Sequence, residues 1–171
     1  MPGSATERAR TREPRRERLL ARLDDALRQH RVAALIAGPG CGKSVALEQF
    51  AAGNPYVRKY RASSLDANPN RLVGSLLAAV DKTDLAPSVL RVLEADGVRA
   101  AARAAAEIIP NGMTIAIEDF QEAAHSQDYC AFLTHVIEAS DRVRFLIASR
   151  VAATSRASDW SSLIRTLKRQ G

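Results

Sequence analysis

Residues 37–44 combine glycines, a lysine and a serine at a spacing that suits phosphate binding. Their sequence is Ala-Gly-Pro-Gly-Cys-Gly-Lys-Ser. It matches the phosphate-binding (Walker A) pattern G-x-x-x-x-G-K-[ST] except for alanine at the first position. Small residues allow the backbone to curl so that its N–H groups point at phosphate oxygens. We therefore predict a phosphate-binding loop made of Gly38, Pro39, Gly40, Cys41, Gly42, Lys43 and Ser44.

The last two residues of this loop have separate chemical roles in such a pattern. The ammonium of Lys43 is expected to reach the β- and γ-phosphates of a nucleotide, and the hydroxyl of Ser44 is expected to bind Mg²⁺. The helix that follows adds the positive end of its dipole. Alanine at position 37 closes the preceding strand and does not need to touch phosphate.

A second candidate site lies where an apolar run, residues 113–117, is followed by Glu118 and Asp119. A carboxylate at the end of a strand can hold the water shell of Mg²⁺, and its neighbour can polarise an attacking water molecule, as in a Walker B element. We predict that Glu118 and Asp119 serve hydrolysis and that Glu118 shares the metal with Ser44. Glu118 stands where aspartate is usual, so the division of roles between the two acids stays open and slow hydrolysis is expected.

A third candidate is Arg150, which follows the apolar run 145–148 and Ser149. Polar residues at the carboxyl end of a parallel strand face the ligand crevice in open α/β sheets. Arg150 is therefore predicted to contact the γ-phosphate and to assist catalysis. The alternative is an ordinary surface arginine after a strand.

The elements that must position these residues alternate along the chain. Such an alternation predicts an α/β fold with a parallel sheet. The apolar run 32–37 predicts a strand buried on both faces. Residues 1–12 are small, polar and charged and are predicted to be a disordered tail before one domain, residues 13–171. The expected strands are 32–37, 56–61, 113–117 and 143–148; the expected helices are 14–30, 43–52, one from 69, 87–109 with an interruption at 96–97, 127–139 and 159–169.

Composition narrows the class of protein. The chain has 171 residues, a net charge of +6 and two cysteines without metal-ligand spacing. The longest apolar stretch is far shorter than the roughly 20 residues that a membrane-spanning helix needs. No apolar segment follows the arginine-rich N-terminus, so no secretory signal is indicated and we expect a cytoplasmic protein without membrane association.

Five segments of the chain form a set that occurs together in one branch of a known family: residues 14–23, 33–44, 64–69, 117–120 and 148–150. Taken together they resemble the nucleotide-binding domain of STAND-type P-loop ATPases, as found in the large ATP-binding LuxR-type transcriptional regulators of bacteria. The resemblance covers about residues 14–170. The loop with Lys43 is common to P-loop NTPases in general, and the combination with the other segments points to this branch.

The resemblance implies a three-layer P-loop NTPase sandwich that acts as an ATP/ADP switch with weak Mg²⁺-dependent hydrolysis, as part of a signal-transduction or transcription-regulator ATPase. Family members continue with a fifth strand and further domains, which are not evident before Gly171. We therefore expect a truncated domain whose sheet lacks its last strand, which leaves an open parallel edge beside the strand 32–37. Self-association or a partner subunit would complete that sheet. No helix-turn-helix is present, so the resemblance does not support DNA binding directly.

Three other functions remain open at this point. One is a DNA-associated ATP-binding adaptor, because both ends of the chain are basic: nine arginines against five acids in residues 1–31, and five bases against one acid in residues 150–171. Salt-sensitive DNA binding would support it. Another is a small P-loop kinase for a metabolite, whose lid arginines would have to come from the helical stretch 87–109. The last is a degenerate fold that binds nothing.

Overall fold

The computed structural model describes residues 17–150, in which one or two helices separate each strand from the next along the chain. The predicted tail 1–12 and the predicted helix 159–169 lie outside these residues. Each strand expected within 17–150 is present, and none of its ends is shifted by more than one residue. The helices are α1 (Glu17–Gln29), α2 (Lys43–Ala52), α3 (Pro69–Ala79), α4 (Ala86–Ile108) and α5 (Gln127–Ala139); the strands are β1 (Val32–Ile36), β2 (Val57–Arg61), β3 (Thr114–Glu118) and β4 (Arg144–Ser149).

The four strands form one sheet in the order β1-β4-β3-β2, and every neighbouring pair is parallel. The predicted α/β class with a parallel sheet is thus confirmed. Parallel pairing brings the carboxyl ends of all four strands to the same end of the sheet, and the segment that follows each strand begins there. The predicted site residues therefore gather at this carboxyl end of the sheet.

The helices cover the two faces of the sheet in separate layers. Helices α1 and α2 pack on one face and contribute Leu23 and Leu47 to its core, whereas α3, α4 and α5 pack on the other face. Alternate residues of β3 point to opposite faces: Ala116 joins the first core, and Ile115 and Ile117 join the second. Within residues 17–150, no helix combines the length and apolarity needed to cross a membrane.

Strand β1 differs from its prediction. It was expected to be buried on both faces, but Ala34 is exposed and Ile36 retains 43% of its accessible surface. The physical reason is position, because among the described residues β1 pairs only with β4 and stands at the edge of the sheet. Ala33 faces the α1/α2 layer and is buried. Completion of this edge by a further strand or partner stays a prediction.

The interruption predicted in the long helical stretch is confirmed at Gly97. Its backbone angles, φ 81° and ψ −175°, are not helical and divide α4 into two segments. A positive φ of this kind is readily adopted only by glycine.

One buried carboxylate organises the turn between β2 and α3. Asp66 is only 2% exposed. It accepts hydrogen bonds from the backbone N–H and the hydroxyl of Ser63, both at 2.8 Å, and from the hydroxyl of Ser75 at 2.8 Å. The Ser63–Asp66 pair is a capping box, which satisfies the free N–H groups at the start of the 3₁₀ turn Ser64–Ala67.

We predict that Asp66→Ala lowers the free energy of unfolding by about 2–4 kcal/mol, because three donors lose a buried charged acceptor. Urea unfolding followed by circular dichroism measures this change. The matched control is Asp84→Ala, which removes an exposed carboxylate from another 3₁₀ turn and should stay within about 0.5 kcal/mol of the parent protein. Equal effects of the two substitutions would contradict the role given to Asp66.

Two buried phenols predict loss of stability at alkaline pH. Burial raises the pKa of Tyr60, and the negative charge of Asp66 adds to this rise; burial also raises the pKa of Tyr129. The unfolded phenols ionise near pH 10, so above about pH 10 the unfolded chain releases protons that the folded chain keeps. The free energy of unfolding should then fall by about 1.4 kcal/mol per pH unit for each phenol.

Urea unfolding between about pH 9 and pH 11 checks this slope. Tyr129→Phe removes one of the two phenols, so its free energy of unfolding should fall with pH at about half the slope of the parent protein. A decline as steep in Tyr129→Phe as in the parent protein would show that Tyr129 does not contribute to it.

Candidate functional site

The glycine-rich segment forms a turn between the carboxyl end of β1 and the first residue of α2. Gly40 and Gly42 have φ values of 73° and 71°, in the left-handed region that glycine adopts without a steric penalty. A side chain at Gly40 would have open space but an unfavourable backbone. The backbone amide of Ala37 donates to the carbonyl oxygen of Ser149 at 3.3 Å, which ties the start of the turn to the end of β4.

Lys43 lies at the end of the turn and folds back over it. Its Nζ donates to the carbonyl oxygens of Ala37 and Gly38, at 2.5 and 2.8 Å. These two contacts hold the ammonium against the start of the glycine turn. Ser44 follows in the first turn of α2 and is exposed.

No side chain caps the start of α2. Gly42 occupies the capping position and has no side chain, so no side-chain cap accepts a hydrogen bond there. The first turn of the helix also contains no acidic residue. Uncapped N–H groups at the positive end of a helix dipole favour an anion. The glycine turn, the ammonium of Lys43 and this helix start therefore lie together at the carboxyl end of β1.

The acid pair also lies at the carboxyl end of the sheet. Glu118 is the last residue of β3, opposite Arg61 in the register, and Asp119 follows it. The two side chains are 15% and 19% exposed. Asp119 has a φ of 52°, a left-handed conformation that is uncommon for a residue with a Cβ atom. The backbone turns sharply there into the 3₁₀ turn Phe120–Glu122.

Two arginines neutralise the acid pair. Nε of Arg61 lies 3.1 Å from Oδ2 of Asp119, and its Nη2 lies 3.6 Å from Oε1 of Glu118. Nη2 of Arg150 lies 3.5 Å from Oδ1 of Asp119. The structure thus places Arg150 beside the acids, as expected for a residue that follows the carboxyl end of β4. Arg61 had no place in the sequence prediction, because an arginine in a short exposed strand matches no motif.

Gln121 links the acid pair to the end of β4 and was also missed by the sequence analysis. Its Oε1 accepts from the backbone N–H of Arg150 at 3.0 Å and from the hydroxyl of Ser149 at 3.2 Å. Its Nε2 donates to Oδ1 of Asp119 at 3.3 Å. One signal for Gln121 was present in the sequence, namely its position two residues after Asp119. A polar side chain in the turn after β3 can reach the end of the neighbouring strand β4.

The donor set at this edge suits Mg²⁺. This cation is commonly bound by one or two carboxylates, with phosphate oxygens and water completing its shell. Oε1 of Glu118 is buried and has no hydrogen-bond partner, so it is an acceptor free to bind a cation or its water. Across residues 17–150, no group of three or more histidine, cysteine or acidic side chains is placed to hold a metal ion.

The network around Gln121 gives a testable prediction. In Gln121→Ala the amide of Arg150 loses its acceptor, so its hydrogen exchange should become about tenfold faster, equivalent to about 1.4 kcal/mol. Hydrogen exchange resolved by residue with nuclear magnetic resonance measures it. Gln127→Ala, which removes an exposed amide from the first turn of α5, should leave the exchange of Arg150 unchanged. Equal protection in both variants would exclude this role of Gln121.

Comparison of the chain with models of known protein families found no match, and comparison with curated proteins found none either. The likeness to STAND-type ATPases therefore remains a resemblance carried by the motifs.

Proposed function

We propose that the chain is an ATP/ADP-binding switch module that hydrolyses ATP slowly in the presence of Mg²⁺. The observation that carries the proposal is the glycine turn between β1 and α2, with Lys43 held over it and the start of the helix uncapped. This arrangement offers convergent backbone donors and one ammonium to a chain of phosphates. The acid pair at the carboxyl end of β3 supplies the second half of the site.

Binding of the phosphates would involve exchange of existing contacts. Lys43 now donates to the carbonyl oxygens of Ala37 and Gly38, and a phosphate offers it a charged acceptor that forms stronger hydrogen bonds. Gly40 and Gly42 keep the turn open to a ligand because they place no side chain over it. Contacts to the phosphate chain should therefore depend strongly on Lys43 and on the backbone of the turn.

The two acids differ in a way that suggests separate roles. Glu118 keeps one buried oxygen without a hydrogen bond, which suits a metal ligand. Bound Mg²⁺ would bridge phosphate oxygens and neutralise their charge. Asp119 is engaged through both oxygens, by Arg61 on one and by Gln121 and Arg150 on the other. A carboxylate so occupied is poorly available to polarise water, which supports slow hydrolysis.

Arg150 is the residue that we assign to distinguish ATP from ADP. Its guanidinium is half-exposed and contacts Asp119, while its backbone is anchored by Gln121. A γ-phosphate beside the acid pair would compete with Asp119 for this guanidinium. The change of partner would reach the end of β4 and the segment that follows it, and we propose this as the output of the switch.

The metabolite-kinase alternative gains no support from the described residues. Its lid arginines were expected in α4, but Arg99 and Arg103 line a small cavity with His135 and Glu138 of the last turns of α5. That end of α5 leads into the amino end of β4, opposite the glycine turn. No specific observation favours the DNA-associated adaptor either.

The test is calorimetric titration of the folded protein with Mg·ATP and Mg·ADP. We expect micromolar binding of both nucleotides, weakened about ten- to a hundredfold in Lys43→Ala through loss of a charge-assisted contact. Lys59→Ala is the matched control, because Lys59 pairs with Glu48 at the surface of β2 and should not affect binding. Absence of heat with either nucleotide from the folded parent protein would refute the proposal.

A further inference from the structure

Arg61 occupies a position from which it controls the acid pair. It is the last residue of β2 and lies opposite Glu118 in the register of the sheet. The amide that follows it, on Ala62, donates to the carbonyl oxygen of Glu118 at 2.9 Å. The backbone of Arg61 is therefore fixed beside the end of β3, while its side chain is 68% exposed and free to change its contacts.

One guanidinium spans both carboxylates. The Nε contact to Asp119, 3.1 Å, is a hydrogen bond, whereas the 3.6 Å approach of Nη2 to Glu118 is an ion pair too long to be one. The Glu118 oxygen facing Arg61 is the buried atom that lacks a hydrogen-bond partner. Arg61 thus balances the charge of Glu118 without satisfying its acceptor, and a ligand that approaches more closely can replace it.

We propose that Arg61 is an internal counter-cation that competes with Mg²⁺ for Glu118 and Asp119 and so sets the affinity of the site for the metal. This inference rests on the proposed function, since it assigns the regulation of the same site. A magnesium ion lies about 2.0–2.1 Å from its oxygen ligands. A guanidinium at its present distance would then face a divalent cation across the same carboxylate, and the two repel each other.

The charge balance supports displacement rather than coexistence. Glu118 and Asp119 are matched by Arg61 and Arg150, so the four side chains together carry no net charge. Mg²⁺ added to this set leaves two positive charges in excess. Departure of Arg61 removes one of them, and the phosphates of a nucleotide compensate for the rest. Metal binding and nucleotide binding are thereby coupled through one side chain.

Direct binding of phosphate by Arg61 is the main competing role, and it predicts the opposite sign. Loss of a phosphate contact weakens nucleotide binding whether or not Mg²⁺ is present. Loss of a counter-cation increases the affinity of the site for Mg²⁺ and leaves nucleotide binding in the absence of metal unchanged. The measurement must therefore determine nucleotide affinity both with and without Mg²⁺.

The experiment measures ADP affinity by calorimetry in EDTA and across a series of Mg²⁺ concentrations. In Arg61→Gln we expect the Mg²⁺ concentration for half-maximal enhancement to fall about five- to tenfold, with ADP affinity in EDTA unchanged. Arg61→Lys, which keeps the charge, should stay within about threefold of the parent protein. Arg58→Gln is the control: it removes a guanidinium of the same strand that pairs with Asp81 instead, and it should leave the Mg²⁺ dependence unchanged.

An unchanged Mg²⁺ requirement in folded Arg61→Gln would overturn this inference and leave the proposed function standing. Weaker ADP binding in EDTA would overturn it in favour of a phosphate contact. If circular dichroism shows that Arg61→Gln is unfolded, Arg61→Lys decides. A Mg²⁺ requirement that differs from that of the parent protein by more than about threefold would show that charge is not what matters, and would overturn the inference. Failure of the parent protein to bind ADP at all would refute the proposed function and this inference with it.

Discussion

The position of β4 between β1 and β3 is the constraint on which the site depends. The glycine turn follows β1 and the acid pair lies at the end of β3. These two strands are not neighbours, because β4 lies between them. Ser149, the last residue of β4, contacts both sides: its carbonyl oxygen accepts from Ala37, and its hydroxyl donates to Gln121 beside Asp119. The distance between the glycine turn and the acid pair is thus fixed by the pairing of β4 with its two neighbours.

Sequence reasoning succeeded where a local pattern decides the structure. The order of helices and strands followed from apolar periodicity and turn residues, and the break at Gly97 followed from the Asp-Gly pair in a helical stretch. The prediction that β1 is buried on both faces was wrong, because an apolar run of six residues does not reveal whether a strand is central or at an edge. The open edge beside this strand was expected from the resemblance instead, and within the described residues β1 pairs with β4 alone.

The same reasoning could not find the residues that complete the candidate site. Arg61 and Gln121 act through partners 58 and 28 positions away in the chain, and neither belongs to a motif. Their roles depend on the register of β2 against β3 and on the turn after Asp119. The positions of the glycine turn, Lys43 and the acid pair at the ends of β1 and β3 could be predicted from local sequence patterns, whereas the residues that connect one strand end to the next needed coordinates.

Asp119 combines an unfavourable backbone conformation with a carboxylate that is held by several side chains. Its left-handed backbone is unfavourable by about 1 kcal/mol, and its two oxygens are held by side chains from β2, from the end of β4 and from its own turn. Such a carboxylate is held in place by its surroundings, so it changes partners only when they move. A site built for rapid turnover would leave a base free beside the attacking water. The restraint of both acids by two arginines therefore supports the proposed slow switch rather than an enzyme of rapid turnover.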